Sequence, residues 1–417
     1  LSGGTSAGVG DLLYRVINDV GKPGILVHGV SVRPGKPLII AVVGGKPVFG
    51  LPGYPTSALM MFSVFVQPVL REMAGLKAEA EKRVIEARAA ERIHSTPGRH
   101  EYLPVNIVRT ELGDYMVYPV PGSSGAITTL SEADGFIEVP GDRAFLEEGE
   151  KVLVELFSLE LKPADLMIIG SHCVGIDLLL TLMRSRASIK TKVVNIGSSG
   201  GLAAIRRGEA DIAGTHLLDE NTGEYNISFL ERFGIVDKAV LVRGYVREQG
   251  LIVAKGNPKN IQGLEDLDGG RPLSIINRNP GSGTRILLDT LLRRIAEERK
   301  VSFDQLTDNI EGYKAEAKSH TAVAVAVLHG KADLGLAIRS VAERYGLGFL
   351  PIADENYDFL IQRSRFEKPS IQTFLEVLRS KEFKKELKQR LPGLSPTEET
   401  GRIIYPKDFN RKDFSPF

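Results

Sequence analysis

The sequence predicts an α/β protein in three parts: an incomplete α/β domain, a small β-barrel or sandwich, and a two-lobed α/β domain. Three observations lead to this fold class. Glycine-rich loops alternate with short apolar segments over residues 1–76. Short strand-like segments at even spacing occupy residues 80–157, as in small all-β domains. Strand and helix patterns then alternate over residues 163–395, and a polar, aromatic tail or docking arm covers residues 401–417.

The front segment combines an amphipathic helix with short strands and a long apolar helix. Apolar residues at helical spacing predict a helix over residues 9–20, which a Gly-Lys-Pro-Gly segment ends. Branched residues predict strands over residues 25–27, 38–43 and 48–49. A second helix is expected over residues 56–73, after a Pro-Gly-Tyr-Pro turn. Together these elements form half of an α/β unit.

The middle and rear segments are predicted from alternation and apolar runs. The middle strands are expected at residues 83–90, 102–109, 115–119, 135–140 and 151–156. The rear strands are expected at residues 166–169, 192–196, 211–213, 273–276, 333–336 and 349–352, with helices at 175–184, 284–298, 322–329 and 371–378. Two further strands, 236–242 and 251–254, are predicted as a pair that crosses between two lobes.

Composition and charge exclude several classes of protein. The 53 Lys and Arg residues against 52 Asp and Glu leave a net charge of +1, which offers no electrostatic attraction for a nucleic acid or a membrane surface. The longest apolar run, residues 57–66, is shorter than the roughly 20 residues of a membrane span. Cys173 is the only cysteine, so no internal disulfide can form and a reducing, cytoplasmic setting is expected.

A glycine-rich loop, SGGTSAGVGD at residues 2–11, leads into the first helix. Glycines let the backbone fold close to a ligand, and the amides at the helix start attract phosphate together with the Thr5 and Ser6 hydroxyls. Asp11 at the end of this loop could hold a divalent cation. The same residues also fit a plain glycine turn in which the carboxylate caps the helix.

Two proline-containing loops carry further candidates. Residues 32–37, VRPGKP, place Arg33 and Lys36 around a rigid turn where they could meet an anion. Residues 50–57, GLPGYPTS, enter the second predicted helix. Because proline has no N–H, this loop leaves carbonyl groups and the Ser57 hydroxyl to face a site. Each loop alone also fits an ordinary turn.

In this order and spacing the three loops resemble the molybdopterin molybdenumtransferase family, which includes MoeA and the C-terminal region of gephyrin. The family's SGG-x-S-x-G-x-x-D loop, KPGKP turn and GLPG-x-P-x-S loop correspond to residues 2–11, 33–37 and 50–57. The resemblance extends to residue 157. It implies a partial MogA-like, molybdopterin-binding α/β domain over residues 1–76 and the family's small C-terminal β-barrel over residues 80–157.

The resemblance implies insertion of molybdate into adenylylated molybdopterin, with release of AMP and assistance from Mg²⁺. Asp11 would be the catalytic residue and the magnesium ligand. Molybdopterin-AMP and molybdate would be the small-molecule substrates, and a homodimer is implied for the full-length protein. Arg33 stands where the family often has lysine, which keeps the charge but alters the hydrogen-bond geometry. The implied substrate-binding residues are Gly3, Gly4, Thr5, Ser6, Gly8, Arg33, Pro34, Gly35, Lys36, Pro52, Gly53, Pro55 and Ser57.

Part of the family pattern has no counterpart in this sequence. The N-terminal dimer-forming and lid domains are missing, as are the first strands of the catalytic domain with another acidic residue. No buried strand precedes the opening glycine loop, and the first residue is Leu1. We therefore expect the chain to begin inside a domain and to be incomplete as an enzyme.

Three loops of the rear segment repeat a strand, glycine loop and helix order: residues 169–172, 195–202 and 277–285. The carboxyl ends of strands in an open α/β sheet converge at one edge, where ligands bind. Each loop alone also fits a capped helix start, but three of them favour a pocket for an oxoanion or a small polar ligand. The candidate residues are Ser171, Ser198, Ser199, Gly200, Gly281, Ser282, Gly283, Thr284 and Arg285.

The rear segment resembles the periplasmic-binding-protein-like domain that is fused to some MoeA proteins and is related to molybdate-binding and LysR-type sensor domains. The matching features are residues 170–172, 214–226, the NPGSGTR loop, and residues 320–324 followed by 332–335. The ligand stays open, molybdate and tungstate included. His172, His216 and His320 lie in or near these loops. We expect them to form hydrogen bonds and not to bind a metal, because no ligand-spaced histidine or carboxylate accompanies them.

Two functions fit these observations. The chain is either part of a molybdenum-inserting transferase with an appended oxoanion-binding domain, or a molybdate or small-ligand sensor without catalysis of its own. A regulator is a third possibility, although no helix-turn-helix pattern accompanies the sensor-like segment. Turnover of molybdopterin-AMP distinguishes the first two.

Overall fold

The computed structural model divides the chain into two compact units, Leu1–Pro163 and Ala164–Phe417. The structure describes residues 1–5, 11–78, 83–120, 122, 131, 133–158, 164–219, 222–268, 272–279 and 282–408. None of the helices in this described part combines the length and the apolar character that a bilayer crossing requires.

The front unit begins with a three-stranded antiparallel sheet in the order β1-β3-β4. Its elements are α1 (Leu13–Val20), β1 (Pro23–His28), β2 (Val32–Arg33), β3 (Ile39–Val43) and β4 (Lys46–Gly50). Ile17 of α1 packs against Ile39 and Ala41, and all three are buried. The apolar face of the predicted helix therefore covers the predicted strands.

The long apolar helix predicted after residue 55 is interrupted. It consists of α2 (Pro55–Met61), a π-helical turn (Phe62–Val66) and α3 (Gln67–Met73). Pro68 lacks the N–H that would bond to residue 64 in an α-helix, and the wider π turn lies directly before it. The buried Met60 and Met61 keep this helix packed on the rest of the unit.

The middle of the front unit is a closed five-stranded barrel. Neighbouring strands follow the order β7-β8-β5-β11-β9, and β9 pairs again with β7. The inward side chains are branched and apolar, and they form the buried core of the barrel. The sequence left barrel and sandwich open, and the structure shows the barrel. The strands are β5 (Val84–Ala89), β6 (Ile93–His94), β7 (His100–Arg109), β8 (Tyr115–Pro119), β9 (Gly135–Val139), β10 (Phe145–Leu146) and β11 (Lys151–Leu156).

Strand β2 joins the front loops to the barrel. It pairs in parallel with the start of β7, with Val32 opposite His100 and Arg33 opposite Glu101. The short β6 and β10 pair with each other beside the barrel. Because β2 opens the proline turn at residues 33–37, this pairing brings a barrel strand to a predicted binding loop.

The rear unit is built on one mixed sheet in the order β13-β12-β14-β19-β15-β18-β16-β17, with β20 and β21 also paired to β15. The strands are β12 (Leu166–Gly170), β13 (Thr191–Asn195), β14 (Ile212–Thr215), β15 (Ala239–Val253), β16 (Ile275–Arg278), β17 (Glu316–Ala317), β18 (Leu334–Ile338), β19 (Gly348–Gln362), β20 (Leu394–Ser395) and β21 (Ile403–Tyr405).

Helices of the rear unit cover both ends of this sheet. Serine side chains cap several of them, as Ser282 does by accepting a hydrogen bond from the Arg285 N–H. The helices are α4 (Val174–Arg186), α5 (Gly197–Arg206), α6 (Ile227–Arg232), α7 (Gly283–Arg299), α8 (Phe303–Asp308), α9 (His320–Leu328), α10 (Arg339–Arg344), α11 (Pro369–Arg379) and α12 (Lys381–Arg390), with 3₁₀ turns at Leu264–Asp268 and Arg363–Arg365.

Strands β15 and β19 run through both lobes of the rear unit. The sequence predicted two separate strands, 236–242 and 251–254, because charged residues interrupt the apolar pattern between them. The structure corrects this prediction: β15 is continuous, and Arg247 lies opposite Glu355 of β19. Both side chains are buried and form an ion pair, which explains how charged residues occupy the middle of a central strand.

Each lobe has its own hydrophobic core. One core packs α4, α11 and α12 on the first half of the sheet, and the other two lie around β16 and β18. The predicted tail begins with an ordered contact, because Ile403 and Tyr405 of β21 pair with Val242 and Leu241 of β15. The start of residues 401–417 therefore docks on the sheet.

Candidate functional site

A cavity of about 890 Å³ in the front unit brings the three predicted loops together. Gly3 and Pro55 adjoin its lining in sequence without being part of it. Ser6 and Gly8 lie outside the described residues. The predicted residues that line the cavity are Gly4, Thr5, Asp11, Arg33, Pro34, Gly35, Lys36, Pro52, Gly53 and Ser57.

The start of the glycine loop lies beside the second proline loop. The Gly3 N–H donates to the Leu51 carbonyl over 2.9 Å, and the Leu51 N–H donates to the Leu1 carbonyl over 2.8 Å. Gly3 and Gly4 have φ values of +91° and +66°, a backbone region that favours glycine. These contacts hold the buried Thr5 at the cavity.

Arg33 already has acceptors for its guanidinium. Its Nε lies 3.4 Å from Glu101 Oε1, and its Nη1 donates to Thr96 Oγ1. Glu101 is buried and also accepts a hydrogen bond of 2.6 Å from Ser95 Oγ. Lys36 differs, because its exposed ammonium has no ion pair with a described residue. Lys36 is therefore the cation of this turn that is left for a ligand.

The barrel contributes cavity residues that the sequence motifs did not indicate. Arg99, Glu101 and Tyr102 line the cavity, and Arg99 has no ion pair with any residue that the structure describes. They reach it through the parallel pairing of β2 with β7. Strand pairing over such a sequence separation leaves no local pattern. The only available signal was a run of charged and aromatic residues at the start of a predicted strand.

Asp11 is half-buried at the cavity, and the Cβ position of Gly4 would lie 3.9 Å from its Oδ1. No group of three or more His, Cys, Asp and Glu side chains clusters as a metal site within the described ranges. One carboxylate among hydroxyl and carbonyl groups fits Mg²⁺, which keeps several waters and binds substrate phosphates. It does not fit a cation held by protein groups alone.

A second cavity, of about 580 Å³, lies in the rear unit at the predicted loops. Ser171, Ser198, Ser199, Ser282 and Gly283 line it. The other predicted residues are not among the described lining residues of the cavity. Gly200 and Thr284 lie within helices, and Arg285 points elsewhere. Gly281 is outside the described residues.

Arg285 is bound to the helix on which it lies. Its Nε donates to both oxygens of Asp289, at 2.9 and 2.8 Å, and its guanidinium covers the Tyr313 ring. Among the cations that line the cavity is instead Arg278, which was not one of the predicted residues. Burial lowers the pKa of Arg278 to about 10, so its guanidinium remains charged at neutral pH.

A chain of hydrogen bonds runs from the rear cavity into the sheet. Ser171 Oγ lies 2.9 Å from His216 Nε2, and His216 Nδ1 lies 2.7 Å from Glu355 Oε1. Arg247 Nε donates to Glu355 Oε2 over 2.8 Å. Burial lowers the pKa of His216, although Glu355 acts in the opposite direction. Burial alone would raise the pKa of Glu355, but Arg247 and His216 bring it below its ordinary value.

The described lining of the rear cavity is cationic and rich in hydroxyl groups. Arg278, Lys318 and Arg344 contribute positive charge, and no acidic residue is among the described lining residues. The Nδ1 atom of His320 and the Oγ atom of Ser340 are buried without a hydrogen-bond partner among the residues that the structure describes. Lys318 and Ser319, directly before α9, were not among the predicted residues, because a serine at this place is also an ordinary helix cap.

Three family models match the chain. A probable molybdopterin binding domain matches residues 1–72, and the MoeA C-terminal region (domain IV) matches residues 86–157. A PBP superfamily domain matches residues 180–379. The chain joins two MoeA-type regions to a PBP superfamily domain. Both predicted resemblances are therefore confirmed.

Individual proteins are similar to parts of the chain. The molybdopterin molybdenumtransferase of Nostoc sp. is 32% identical over 158 residues, which cover 37% of this chain and 36% of the relative. The uncharacterized protein YvgK of Bacillus subtilis is 34% identical over 208 residues, 50% of this chain and 63% of YvgK. The crystal structure of the molybdopterin biosynthesis MoeA protein from Pyrococcus horikosii is 43% identical over 38% of this chain and 36% of that one, with a TM-score of 0.31. The chain thus spans about a third of the MoeA-type relatives.

Proposed function

We propose that the front unit carries part of the site that inserts molybdate into adenylylated molybdopterin with release of AMP. The observation that supports this most directly is the shared cavity of the glycine loop, the proline turn with Lys36 and the loop with Ser57. Relatives named molybdopterin molybdenumtransferase are 32% and 31% identical to this chain over 158 and 159 residues. The reaction places this chain in molybdenum cofactor biosynthesis.

The front cavity offers separate groups for the separate parts of such a substrate. Backbone amides and the Thr5 hydroxyl would bind the pterin-side phosphates. Lys36 and Arg99 would neutralise the negative charge of phosphate or molybdate. The Ser57 hydroxyl and the carbonyl groups of the Pro52 loop would line the position of molybdate. Glu101 would keep the Arg33 side chain in place in the same cavity.

Asp11 would hold Mg²⁺ through one carboxylate, with water and substrate phosphates as the other ligands. When bound, the ion would supply charge neutralisation at the phosphate that leaves with AMP. Asp11 itself would orient a water molecule by accepting its hydrogen bond. The proposal includes a homodimer and a cytoplasmic location for the full-length protein, as the family resemblance implies.

We also propose that the rear unit binds an oxoanion or a similar small anion. Arg278, Lys318 and Arg344 supply the positive charge, and serine hydroxyls supply hydrogen-bond donors. The second candidate function, a sensor or binding module without catalysis, rests on this same cavity. It differs from the first in expecting no turnover at the front cavity.

The test of the transferase is molybdate-dependent AMP release from molybdopterin-AMP by the full-length protein. Asp11→Asn is expected to reduce turnover by about 100-fold or more, because the carboxylate charge is lost while its shape is kept. Asp19→Asn is the matched control, since Asp19 is exposed on α1 and outside the cavity lining. Turnover by Asp11→Asn at the rate of the unmodified protein would contradict the role of Asp11. No turnover by the unmodified protein would instead favour the binding module.

A further inference from the structure

The hydrogen-bond chain in the rear unit determines which way the Ser171 hydroxyl points its proton. Arg247 donates to Glu355 from two nitrogens, so Glu355 is an ionised carboxylate and can only accept hydrogen bonds. Its other oxygen, Oε1, therefore receives the Nδ1–H of His216. The Nδ1 proton of His216 is thus assigned by its partner.

A neutral His216 with a proton on Nδ1 has a lone pair on Nε2. The only way to use the 2.9 Å contact between that nitrogen and Ser171 Oγ is for the serine to donate its hydroxyl proton. Ser171 Oγ then keeps only lone pairs for the cavity. A serine that normally offers either a donor or an acceptor has been converted into an acceptor.

The surroundings of His216 favour the neutral ring. Its side chain is 12% exposed and stacks on Tyr357 at a centroid distance of 5.9 Å. Arg247 and Arg278 both lie close enough to oppose a second positive charge. Within the described part of the chain, Glu355 is the carboxylate that faces the ring, and Arg247 already shares it.

We propose that the rear cavity selects an oxoanion that carries a proton, such as hydrogen phosphate or hydrogen arsenate, over molybdate, tungstate or sulfate. This inference rests on the proposed oxoanion binding. Arg278 and the donor hydroxyls would bind the ionised oxygens, and Ser171 Oγ would accept the hydrogen bond of the protonated oxygen. Molybdate and sulfate have no proton at neutral pH, so one of their oxygens would face the Ser171 lone pairs.

A hydrogen-bond chain of this kind can also activate a serine as a nucleophile, but the backbone groups that such a serine needs are not available here. A serine nucleophile works beside backbone N–H groups that hold the developing oxyanion, its own N–H among them. The Ser171 N–H donates to the Gly214 carbonyl over 3.0 Å, and the Tyr357 hydroxyl donates to the Ser171 carbonyl. Both backbone groups of Ser171 are occupied, so its hydroxyl is placed for ligand recognition.

The test is isothermal titration of the full chain at pH 7.5 with phosphate, arsenate, sulfate, molybdate and glycerol phosphate. Phosphate and arsenate are expected to bind about 10–100-fold more tightly than sulfate or molybdate. The reason is that an oxygen of sulfate or molybdate would face the Ser171 acceptor without a hydrogen to donate. Glycerol phosphate is expected to join the weak group, because a phosphate monoester has lost its last phosphoryl proton above pH about 6.

Ser171→Ala removes the acceptor and is expected to bring the affinities of phosphate and sulfate to within about threefold of each other. Ser199→Ala is the matched control, because Ser199 lines the same cavity, is exposed and has no described hydrogen bond to a histidine. Ser199→Ala is expected to weaken the binding of phosphate and of sulfate by the same factor. Thermal unfolding of each variant checks that the rear unit is folded.

Sulfate or molybdate binding to the unmodified protein as tightly as phosphate would overturn this inference and leave oxoanion binding intact. The same holds if Ser171→Ala keeps the preference for phosphate. Failure of every oxoanion to bind at millimolar concentration would overturn the proposed function of the rear unit as well. The two failures are thus distinguishable.

Discussion

Arg33 and Lys36 belong to one proline turn, yet their side chains have different surroundings. Arg33 forms an ion pair with the buried Glu101 and donates to Thr96, so its guanidinium neutralises a carboxylate that water cannot reach freely. Lys36 is exposed and has no described ion pair. At the scale of single residues, one cation supports the structure and the other is available to a ligand.

Replacing each cation with alanine should therefore give opposite results. Arg33→Ala is expected to lower the free energy of unfolding by about 1 kcal/mol, because Glu101 loses a partner while half of the arginine was exposed to solvent. Lys36→Ala is expected to leave that free energy unchanged and to weaken molybdopterin-AMP binding about tenfold. Urea denaturation and ligand titration measure the two effects. Equal losses of stability in both variants would contradict this division.

The turn itself depends on a close approach between two elements. Gly35 has φ of +111° and is buried against the helix that follows the second proline loop. A Cβ atom at this position would lie 2.4 Å from Met61 Cγ. With any other residue, either the buried Met61 side chain or the turn, and the cavity lining with it, has to shift.

Gly35→Ala should consequently destabilise the front unit by more than backbone strain alone. The expected loss is about 2 kcal/mol beyond that of Gly75→Ala, a control with φ of +75° and no atom within 4 Å of its Cβ position. Chemical denaturation of both variants provides the comparison. A loss for Gly35→Ala no larger than for Gly75→Ala would show that Met61 moves aside at little cost.

The sequence predicted the loops of both cavities, because glycines, prolines and hydroxyl residues form local patterns. It did not predict Arg99 or Glu101, which reach the front cavity through the pairing of β2 with β7. In the rear unit it split β15 at Arg247, because only the opposite residue, Glu355, makes a buried arginine favourable. What escaped prediction were contacts between segments far apart in the sequence.

At the scale of the whole molecule, the rear unit holds two histidines beside its cavity, His216 and His320, that are costly to charge. Burial is the main cause that lowers the pKa of His216 and of His320, and nearby Arg278 adds to it. In the unfolded chain both rings titrate near 6.5. Below that pH the unfolded chain binds more protons than the native one, so acid favours unfolding.

The free energy of unfolding of the rear unit is therefore expected to fall as the pH decreases from about 6.5 to 5, by up to about 1.4 kcal/mol per pH unit for each histidine. His320→Gln is expected to reduce this slope. Denaturation at pH 7.5, 6 and 5, followed for both proteins, measures the effect. The same unfolding free energy at pH 7.5 and pH 5 would disprove it.

Strands β15 and β19 stay paired along most of their length, from Ala239 opposite Gln362 to Val253 opposite Gly348. The lobes of the rear unit are thus joined by a hydrogen-bonded ribbon and not by free linkers. Any closure around an anion has to twist this ribbon, whose register shifts lie between Val242 and Tyr245 and between Gln249 and Gly250. Anion binding would therefore be coupled to residues that are not among the described lining of the cavity.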